Sequence, residues 1–236
     1  MEDTDYDAGW DRWGDMIKYS PAPVHRRRLI VKLARRTGFK SVLDVGCGSG
    51  ELLRQFKASF DVERLAGVDL SSSVVESNRR AMPFAAFHAL DVSTAKLPEQ
   101  FDLVVCSEVI EHIVDYRLAL RNIRDMCSAF LIVTVPAGKV FPIDRMMGHH
   151  RHFTAATLTD SLENSGFRVA LLWQWGFPWH TAYKYLINVA PETSMRRFSG
   201  GGYSWSDKLV GRVLTTMFYL NLNRFGSQLI ALARTA

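Results

Sequence analysis

The sequence predicts an α/β fold, a doubly wound, mostly parallel sheet of seven strands with helices on both faces. Short apolar runs alternate with helical patterns along the chain, which is typical of crossover connections between parallel strands. The chain has 236 residues, of which 47% are hydrophobic, enough to form one sizeable core. A loop with glycine at every second position directly follows the first apolar run, as at many ligand sites of such sheets.

Strands are predicted where short, mainly apolar runs occur, at 41–45, 64–69, 85–88, 101–106, 129–135, 167–173 and 227–233. Helices are expected between them. In an open sheet of this kind, ligands bind beyond the carboxyl ends of the strands. The glycine-rich and acidic motifs of this chain fall at those ends, so one edge of the sheet is expected to carry the site.

The first of these motifs is the run from Asp44 to Gly50, DVGCGSG. Glycines let the backbone approach a ligand closely, and the amide groups of the helix that follows face it. Dinucleotide-binding enzymes use the spacing G-x-G-x-x-G, whereas here the glycines stand at 46, 48 and 50 and Glu51 follows. A carboxylate at that position disfavours a pyrophosphate, so the motif favours a nucleoside cofactor of another kind.

Further motifs follow in a fixed order: GVDLS at 67–71, ALDV at 89–92, FDLVVCSEVIEH at 101–112 and LIVTVP at 131–136. Together with the glycine run, they resemble the class I S-adenosylmethionine-dependent methyltransferases. The resemblance implies a Rossmann-like sheet in which the last two strands form an antiparallel pair at one edge. It also implies S-adenosylmethionine as the cofactor and S-adenosylhomocysteine as the product.

The resemblance implies these cofactor-binding residues: Asp44, Gly46, Cys47, Gly48, Gly50, Asp69, Leu70, Asp91, Val92, Ser107 and Glu108. Asp44 can hold the ammonium group, and the two oxygens of Asp69 can accept both ribose hydroxyls. Leu70 is expected to pack on the adenine, with Asp91 and the Val92 amide at its polar edge. Taken alone, Asp69 or Asp91 is equally consistent with a turn or a helix cap.

Methyl transfer requires an acceptor held in line and, for some acceptors, removal of a proton. Glu108, Glu111 and His112 form the pattern E-x-x-E-H, which lies on one helix face if a helix starts there. The pattern resembles a magnesium site of ubiquinone-pathway O-methyltransferases and small-RNA 2′-O-methyltransferases, and His152 is a candidate for a further ligand. The interpretation adopted is that the pattern shapes the cofactor pocket, and no metal ligand is assigned.

The run from Gly148 to Thr154, GHHRHFT, is the second candidate for the acceptor side. It resembles a stretch found in a broad subgroup of these methyltransferases, and Thr154 is expected to cap the next helix. Because an imidazole titrates near neutral pH, His149 and His152 are the candidate catalytic bases. Alternatively, the histidines only hydrogen-bond within the loop, and Arg151 meets an anionic substrate group.

The long stretch between the last two strands, residues 176–224, is expected to distinguish this chain from its relatives. It is rich in aromatic residues and has Leu209, Val210, Val213, Leu214, Met217 and Phe218 at helical spacing. A helix packed on the sheet edge, a lid for an apolar substrate, a dimer contact and a membrane-surface contact all remain open. The predicted segments are an N-terminal helical cap (1–40), the cofactor-binding core (41–175), this insertion and the last strand (225–236).

Charge and cysteine content narrow the class of partner. The net charge is +5 without a long basic tract, and Arg26, Arg27, Arg28, Lys32, Arg35 and Arg36 are interpreted as the solvated face of an amphipathic helix. Cys47, Cys106 and Cys127 lack metal-ligand spacing and are expected to be reduced core residues, which indicates the cytoplasm. Neither a signal peptide nor a membrane-spanning run is recognised. Trp10 and Trp13 suggest an N-terminal piece over the cofactor cleft, or a mobile tail.

The expected function is methylation, most simply at oxygen, of a small-molecule, lipid-linked or glycosylated metabolite by a monomer or homodimer. Peripheral membrane contact is compatible with this, and nucleic acid is not favoured as a partner. The alternatives are an RNA 2′-O-methyltransferase that uses the E-x-x-E-H pattern and a non-catalytic protein that only binds S-adenosylmethionine. A dinucleotide-dependent oxidoreductase is disfavoured by Glu51.

Overall fold

One sheet of seven strands forms the centre of the computed structural model, which describes residues 15–199 and 202–236. The strands are β1 (Ser41–Val45), β2 (Arg64–Asp69), β3 (Ala86–Ala89), β4 (Phe101–Ser107), β5 (Cys127–Pro136), β6 (Phe167–Trp175) and β7 (Gln228–Thr235). Their order is β3-β2-β1-β4-β5-β7-β6. β1 to β5 pair in parallel, and β7 pairs antiparallel with both β5 and β6. The expected sheet with its antiparallel last strand is therefore confirmed. β3 and β7 begin one residue later than predicted, and β5 begins two residues earlier.

Helices cover both faces of this sheet: α1 (Pro21–Ala34), α2 (Glu51–Ser59), α3 (Ser72–Ala81), α4 (Tyr116–Asp125), α5 (Pro142–Met146), α6 (Ala155–Glu163), α7 (Trp179–Ile187), α8 (Pro191–Ser199) and α9 (Trp205–Phe218). β1 is buried throughout because its side chains alternate between two cores. Val42 belongs to the core that contains Ile30 of α1, and Leu43 to the core that contains Leu120 of α4. The chain is thus doubly wound, with β1 between β2 and β4 at the point where strand order reverses.

Local capping fixes where several helices begin. The Ser71 hydroxyl accepts from the Val74 amide at the start of α3, and the Asp115 carboxylate accepts from the Leu118 amide at the start of α4. Thr154 accepts from the Thr157 amide at the start of α6, as predicted. Such caps stabilise a helix by about 1 kcal/mol each. They also define the ends of the loops at the carboxyl edge of the sheet.

The insertion between β6 and β7 forms α7, α8 and α9. One face of α9 packs on the body of the protein through Gly211, Thr215 and Phe218. A Cβ atom on Gly211 would lie 2.7 Å from the Tyr19 carbonyl oxygen, so only glycine permits this close approach. The predicted helix is present, but Leu209, Val210 and Val213 of the predicted apolar set are exposed.

The basic helix near the N-terminus is only partly solvated, in contrast to the prediction. Arg28, Lys32, Arg35 and Arg36 are exposed as predicted, but Arg27 is buried and its Nη1 donates to the Ile17 carbonyl at 2.8 Å. Arg26 turns inward as well, because the amino end of α1 lies against the carboxyl edge of the sheet. Trp10, Trp13 and the glycines at 200–201 lie outside the described residues.

The three cysteines are free and buried, as expected. Across residues 15–199 and 202–236, every helix is too short or too polar to cross a bilayer. The division into four segments stays a prediction.

Candidate active site

The glycine run leaves β1 at its carboxyl end and leads directly into α2. Gly46, Gly48 and Gly50 have φ angles of 69°, 48° and 71°, a region that side chains disfavour. A Cβ atom on Gly46 would lie 2.4 Å from Val109 Cγ2. The Gly46 and Cys47 amides both donate to the Val68 carbonyl, at 2.8 and 3.0 Å. The loop is therefore a bare backbone surface fixed beside the end of β2.

Asp69 ends β2 and joins the two strand ends. Its side chain is buried, with Oδ2 accepting from the Gly48 amide at 2.9 Å and Oδ1 from the Ser71 amide at 3.0 Å. The neighbouring Leu70 is 54% exposed, although it is apolar and follows a buried strand. An acidic acceptor, a glycine loop and an exposed apolar side chain thus meet at this edge, as the sequence predicts for a nucleoside cofactor.

Asp44 lies near the carboxyl end of β1, just before the glycine run. We call the space at the carboxyl ends of β1 and β2 the crevice. It is buried, and burial raises the pKa of its carboxyl to about 8, with a further contribution from the negative charge of Asp69. The Arg27 guanidinium opposes this shift. A cation placed against Asp44 would favour the ionised carboxylate. The crevice is thus suited to a positively charged group.

Asp91 and Val92 follow β3. Asp91 Oδ1 accepts from the Ser93 amide at 2.8 Å and from the Ser93 hydroxyl at 2.6 Å, which is a local turn. Val92 is buried, and its carbonyl accepts from Asn122 Nδ2 at 2.9 Å. The turn that the sequence offered as the alternative for Asp91 is therefore present. The contact of Asp91 and Val92 with an adenine stays a prediction.

Ser107 and Glu108 stand at the end of β4. Glu108 has a φ angle of 56°, rare for a residue with a side chain, and its carboxylate is held from three sides. Oε1 accepts from the Thr134 hydroxyl at 3.1 Å, while Oε2 lies 3.2 Å from Arg26 Nη1 and accepts from Gln228 Nε2 at 3.3 Å. The Ser107 and Thr134 hydroxyls are 2.9 Å apart. Glu108 thus links β4, β5, β7 and α1.

The helix conditionally expected at Glu108 to His112 does not form. Residues 110–112 form a turn, and α4 begins only at Tyr116, after its Asp115 cap. Glu108 has a left-handed backbone, so it cannot share a right-handed helical turn with Glu111 and His112. Glu111 is instead fully buried, and both of its carboxyl oxygens lack a hydrogen-bond partner among the described residues.

Glu111 faces a cluster of histidines and a buried ion pair. His112 and His149 pack edge to face at 4.6 Å, and His149 Nδ1 lies 3.2 Å from His152 Nε2. His152 Nε2 lies 3.4 Å from Asp144 Oδ2, which is 3.3 Å from Lys184 Nζ. Burial lowers the pKa of His149 to about 2 and also lowers that of His152. Both imidazoles are therefore neutral at pH 7.

The same loop is held in place by its other residues. The His150 amide donates to the Glu111 carbonyl at 2.9 Å. Arg151 donates to the Ile113 and Val114 carbonyls, the latter at 3.1 Å. The Arg151 side chain therefore binds the turn after β4 and positions the histidines.

A cation could be held at this cluster by two residues of the predicted pattern, Glu111 and His112, together with residues of the histidine loop and Asp144. The ligand atoms of Glu111, His112 and His149 lie within 4.8 Å of one another, and so do those of Asp144, His149 and His152. Glu108 belongs to neither group in the described part of the chain. Carboxylate and imidazole ligands of this kind suit a divalent transition metal.

A cavity of about 270 Å³ adjoins the ion pair. Its walls include Phe141, Phe177, Thr181, Lys184, Tyr185 and Ser227. The Thr181 hydroxyl is shielded from solvent and has no partner among the described residues. The cavity is thus mainly apolar, with two lysines, Lys139 and Lys184, and several hydroxyl groups at its wall.

Sequence reasoning missed Arg26, Asp144 and Lys184. Arg26 was placed on a solvated helix face, and Lys184 lies in a segment with only an aromatic signal. A sequence signal exists for Asp144 alone, which follows Pro142 in the first turn of α5 and accepts from the Phe141 amide at 2.8 Å.

Comparison with known proteins identifies similar chains. The family model described as "Methyltransferase domain" matches residues 23–172. An (S)-coclaurine N-methyltransferase of Thalictrum flavum subsp. glaucum is 32% identical over 90 residues, which are 36% of this chain and 25% of that protein. An O-methyltransferase of Penicillium expansum is 27% identical over 239 residues, which cover 94% of this chain and 83% of the relative. For several other curated relatives, the part aligned with this chain is only about a quarter to a third of the relative's length.

A solved structure has the same fold. The N-methyltransferase NodS from Bradyrhizobium japonicum, in complex with S-adenosylhomocysteine, superposes with a TM-score of 0.61 at 16% identity. The superposition covers 97% of this chain and 98% of that one.

Proposed function

Since the chain belongs to the class I S-adenosylmethionine-dependent methyltransferases, we propose that it methylates a hydroxyl oxygen of a small-molecule, lipid-linked or glycosylated metabolite. One observation carries the proposal: the Gly48 amide of the glycine loop, which follows β1, donates to the carboxylate of Asp69 at the end of β2 at 2.9 Å. The O-methyltransferase relative, aligned over most of both chains, supports oxygen as the acceptor atom. Three free, buried cysteines support a reducing compartment, the cytoplasm.

The residues present fit the cofactor by their chemistry. Asp69 offers carboxylate oxygens, each able to accept more than one hydrogen bond, to the ribose hydroxyls. Leu70 offers an exposed apolar surface to the adenine. Asp44 offers a buried carboxylate to the ammonium group. When bound, S-adenosylmethionine supplies a methyl group on a positively charged sulfur.

The histidine cluster is suited to take the proton of the acceptor. Burial lowers the pKa of His149 to about 2, which makes it a weak base. It therefore accepts the hydroxyl proton in concert with methyl transfer, when the forming oxygen–carbon bond has made that proton strongly acidic and the carbon–sulfur bond breaks. Through His152, the charge then lies close to the Asp144 carboxylate. Arg151 holds the loop in place, and the apolar walls of the nearby cavity exclude water from the acceptor.

The test is methyl transfer from radiolabelled S-adenosylmethionine to matched phenols, alcohols, amines and an RNA pool. We expect label on hydroxyl acceptors that carry an apolar portion. We expect His149→Gln and His152→Gln to lower turnover by about 100-fold, while the affinity for S-adenosylhomocysteine changes by less than about threefold. Label on amines or RNA alone would contradict the assignment of the acceptor atom.

A further inference from the structure

The insertion carries most of the exposed apolar surface. Thirteen of the seventeen large hydrophobic side chains that are exposed in the described part of the chain lie between Phe177 and Phe225. Isolated exposed apolar residues are ordinary, but a concentration of this kind marks an interaction surface.

On α9 these side chains form a continuous line. Trp205, Leu209 and Val213 recur every four residues and are 78%, 44% and 54% exposed. The opposite face, through Gly211, Thr215 and Phe218, is buried against the body of the protein. The helix therefore carries apolar side chains on its solvent-facing side as well as on its buried side.

The line continues past the end of α9. Leu220 is 69% exposed, and the Leu222 amide donates to the Phe177 carbonyl at 2.8 Å, which sets two more exposed side chains beside each other. We call this surface the apolar stripe, defined by Trp205, Leu209, Val213, Leu220, Leu222 and Phe177. Phe177 also lines the cavity, so the stripe leads to its wall.

The same segment carries nearly all of the net charge. Residues 176–224 contain six basic and two acidic residues, a net charge of +4 compared with +5 for the whole chain. Arg212 and Arg224 are exposed and form no ion pair within the described residues. Arg212 lies one residue before Val213, at the margin of the stripe.

We propose that the apolar stripe docks this protein on the surface of an anionic lipid bilayer. An exposed helix face of Trp, Leu and Val beside arginines matches the interfacial region of such a bilayer, where apolar side chains enter the headgroup boundary. Each basic residue near an anionic surface strengthens partition onto it by about fivefold, which corresponds to about 1 kcal/mol. Four of the six basic residues have acidic partners, so among the described residues of the insertion Arg212 and Arg224 are the basic residues that face an anionic surface unpaired. A second copy of this chain would bring the same unpaired arginines to the contact, so the charge opposes self-association through the stripe.

Docking in this orientation places the acceptor cavity next to the lipid. Phe177 and Tyr185 line the cavity and are 50% and 59% exposed. An acceptor with a lipid tail can thus reach the cavity without crossing water. This corollary rests on the proposed function, whereas docking itself does not require activity.

Flotation of the full chain with vesicles tests the proposal. We expect at least tenfold stronger partition onto vesicles with about 30% phosphatidylglycerol than onto pure phosphatidylcholine, and loss of that preference in about 0.5 M NaCl. The double variant Trp205→Ser/Leu209→Ser should bind about 100-fold more weakly, since each exposed side chain contributes about tenfold. Arg212→Glu should reduce the preference for phosphatidylglycerol.

A matched control is Val114→Ser, which removes an apolar side chain of 71% exposure outside the insertion and should bind like the wild type. Binding of S-adenosylhomocysteine, measured on every variant, reports folding and separates this test from that of the proposed function. The proposal is overturned if the wild type does not float with anionic vesicles or if the double variant floats equally well. It is also overturned if light scattering shows that the wild type is a dimer and the double variant is a monomer. Binding of RNA without binding of vesicles would overturn it as well.

Discussion

Replacing Asp44 by asparagine tests whether the crevice disfavours a negative charge on this carboxyl. The pKa of the buried Asp44 carboxyl is raised from its usual value of 3.8 to about 8, by burial and then by Asp69. The folded chain thus keeps a proton that the unfolded chain has lost. Stability falls as the pH rises from about 4 to about 8 and levels off above that. Asparagine keeps the size of the side chain and cannot ionise.

The expected magnitude follows from about 1.4 kcal/mol for each tenfold change in protonation. Between about pH 5 and about pH 8.5, the wild type should lose about 4 kcal/mol of unfolding free energy relative to Asp44→Asn. Urea denaturation of both proteins over this range measures it. Comparing the two proteins cancels other titrating groups, such as Glu111 and His149, whose pKa values are also shifted. A difference that stays constant with pH would refute the reasoning.

Three further outcomes are expected. Gly46→Ala forces a Cβ atom to 2.4 Å from Val109 at a φ of 69°, so thermal unfolding should show that the free energy of unfolding falls by at least about 2 kcal/mol. The control Gly38→Ala, whose Cβ would have no atom within 4 Å, should leave the free energy of unfolding nearly unchanged. Lys184→Met leaves Asp144 buried without its cation and should cost about 3 to 5 kcal/mol in urea denaturation; the more exposed Lys208→Met should cost less than about 1 kcal/mol. In calorimetry at about pH 7, binding of S-adenosylmethionine should release close to one proton from Asp44 in the wild type and none in Asp44→Asn, and equal release would contradict the ammonium contact.

The sheet and the glycine loop could be predicted because their signals are local. Most strands are short, mainly apolar runs, and the loop from Gly46 to Gly50 requires left-handed backbone that glycine alone adopts readily. Asp69 could be placed because strands β1 and β2 are parallel neighbours and end at one edge. These inferences need only the immediate sequence and the rules of parallel sheets.

The acceptor side could not be predicted to the same degree because its contacts join distant segments. Glu108 meets Arg26 and Gln228, and Asp144 meets Lys184, across 82, 120 and 40 residues of chain. Such pairs leave no periodic pattern. The spacing of Glu108, Glu111 and His112 fits a helix, but the actual conformation is set by the left-handed Glu108 and its partners on other strands.

Binding of S-adenosylmethionine to the purified chain tests the central claim most directly. Titration calorimetry should show binding of S-adenosylmethionine and S-adenosylhomocysteine but not of NAD. Asp69→Ala should weaken that binding by at least about 100-fold through loss of the ribose contact and of the Gly48 hydrogen bond. The control Asp61→Ala, whose side chain is 95% exposed, should bind like the wild type. Binding of NAD without S-adenosylmethionine, or unchanged affinity in a folded Asp69→Ala variant, would contradict the account.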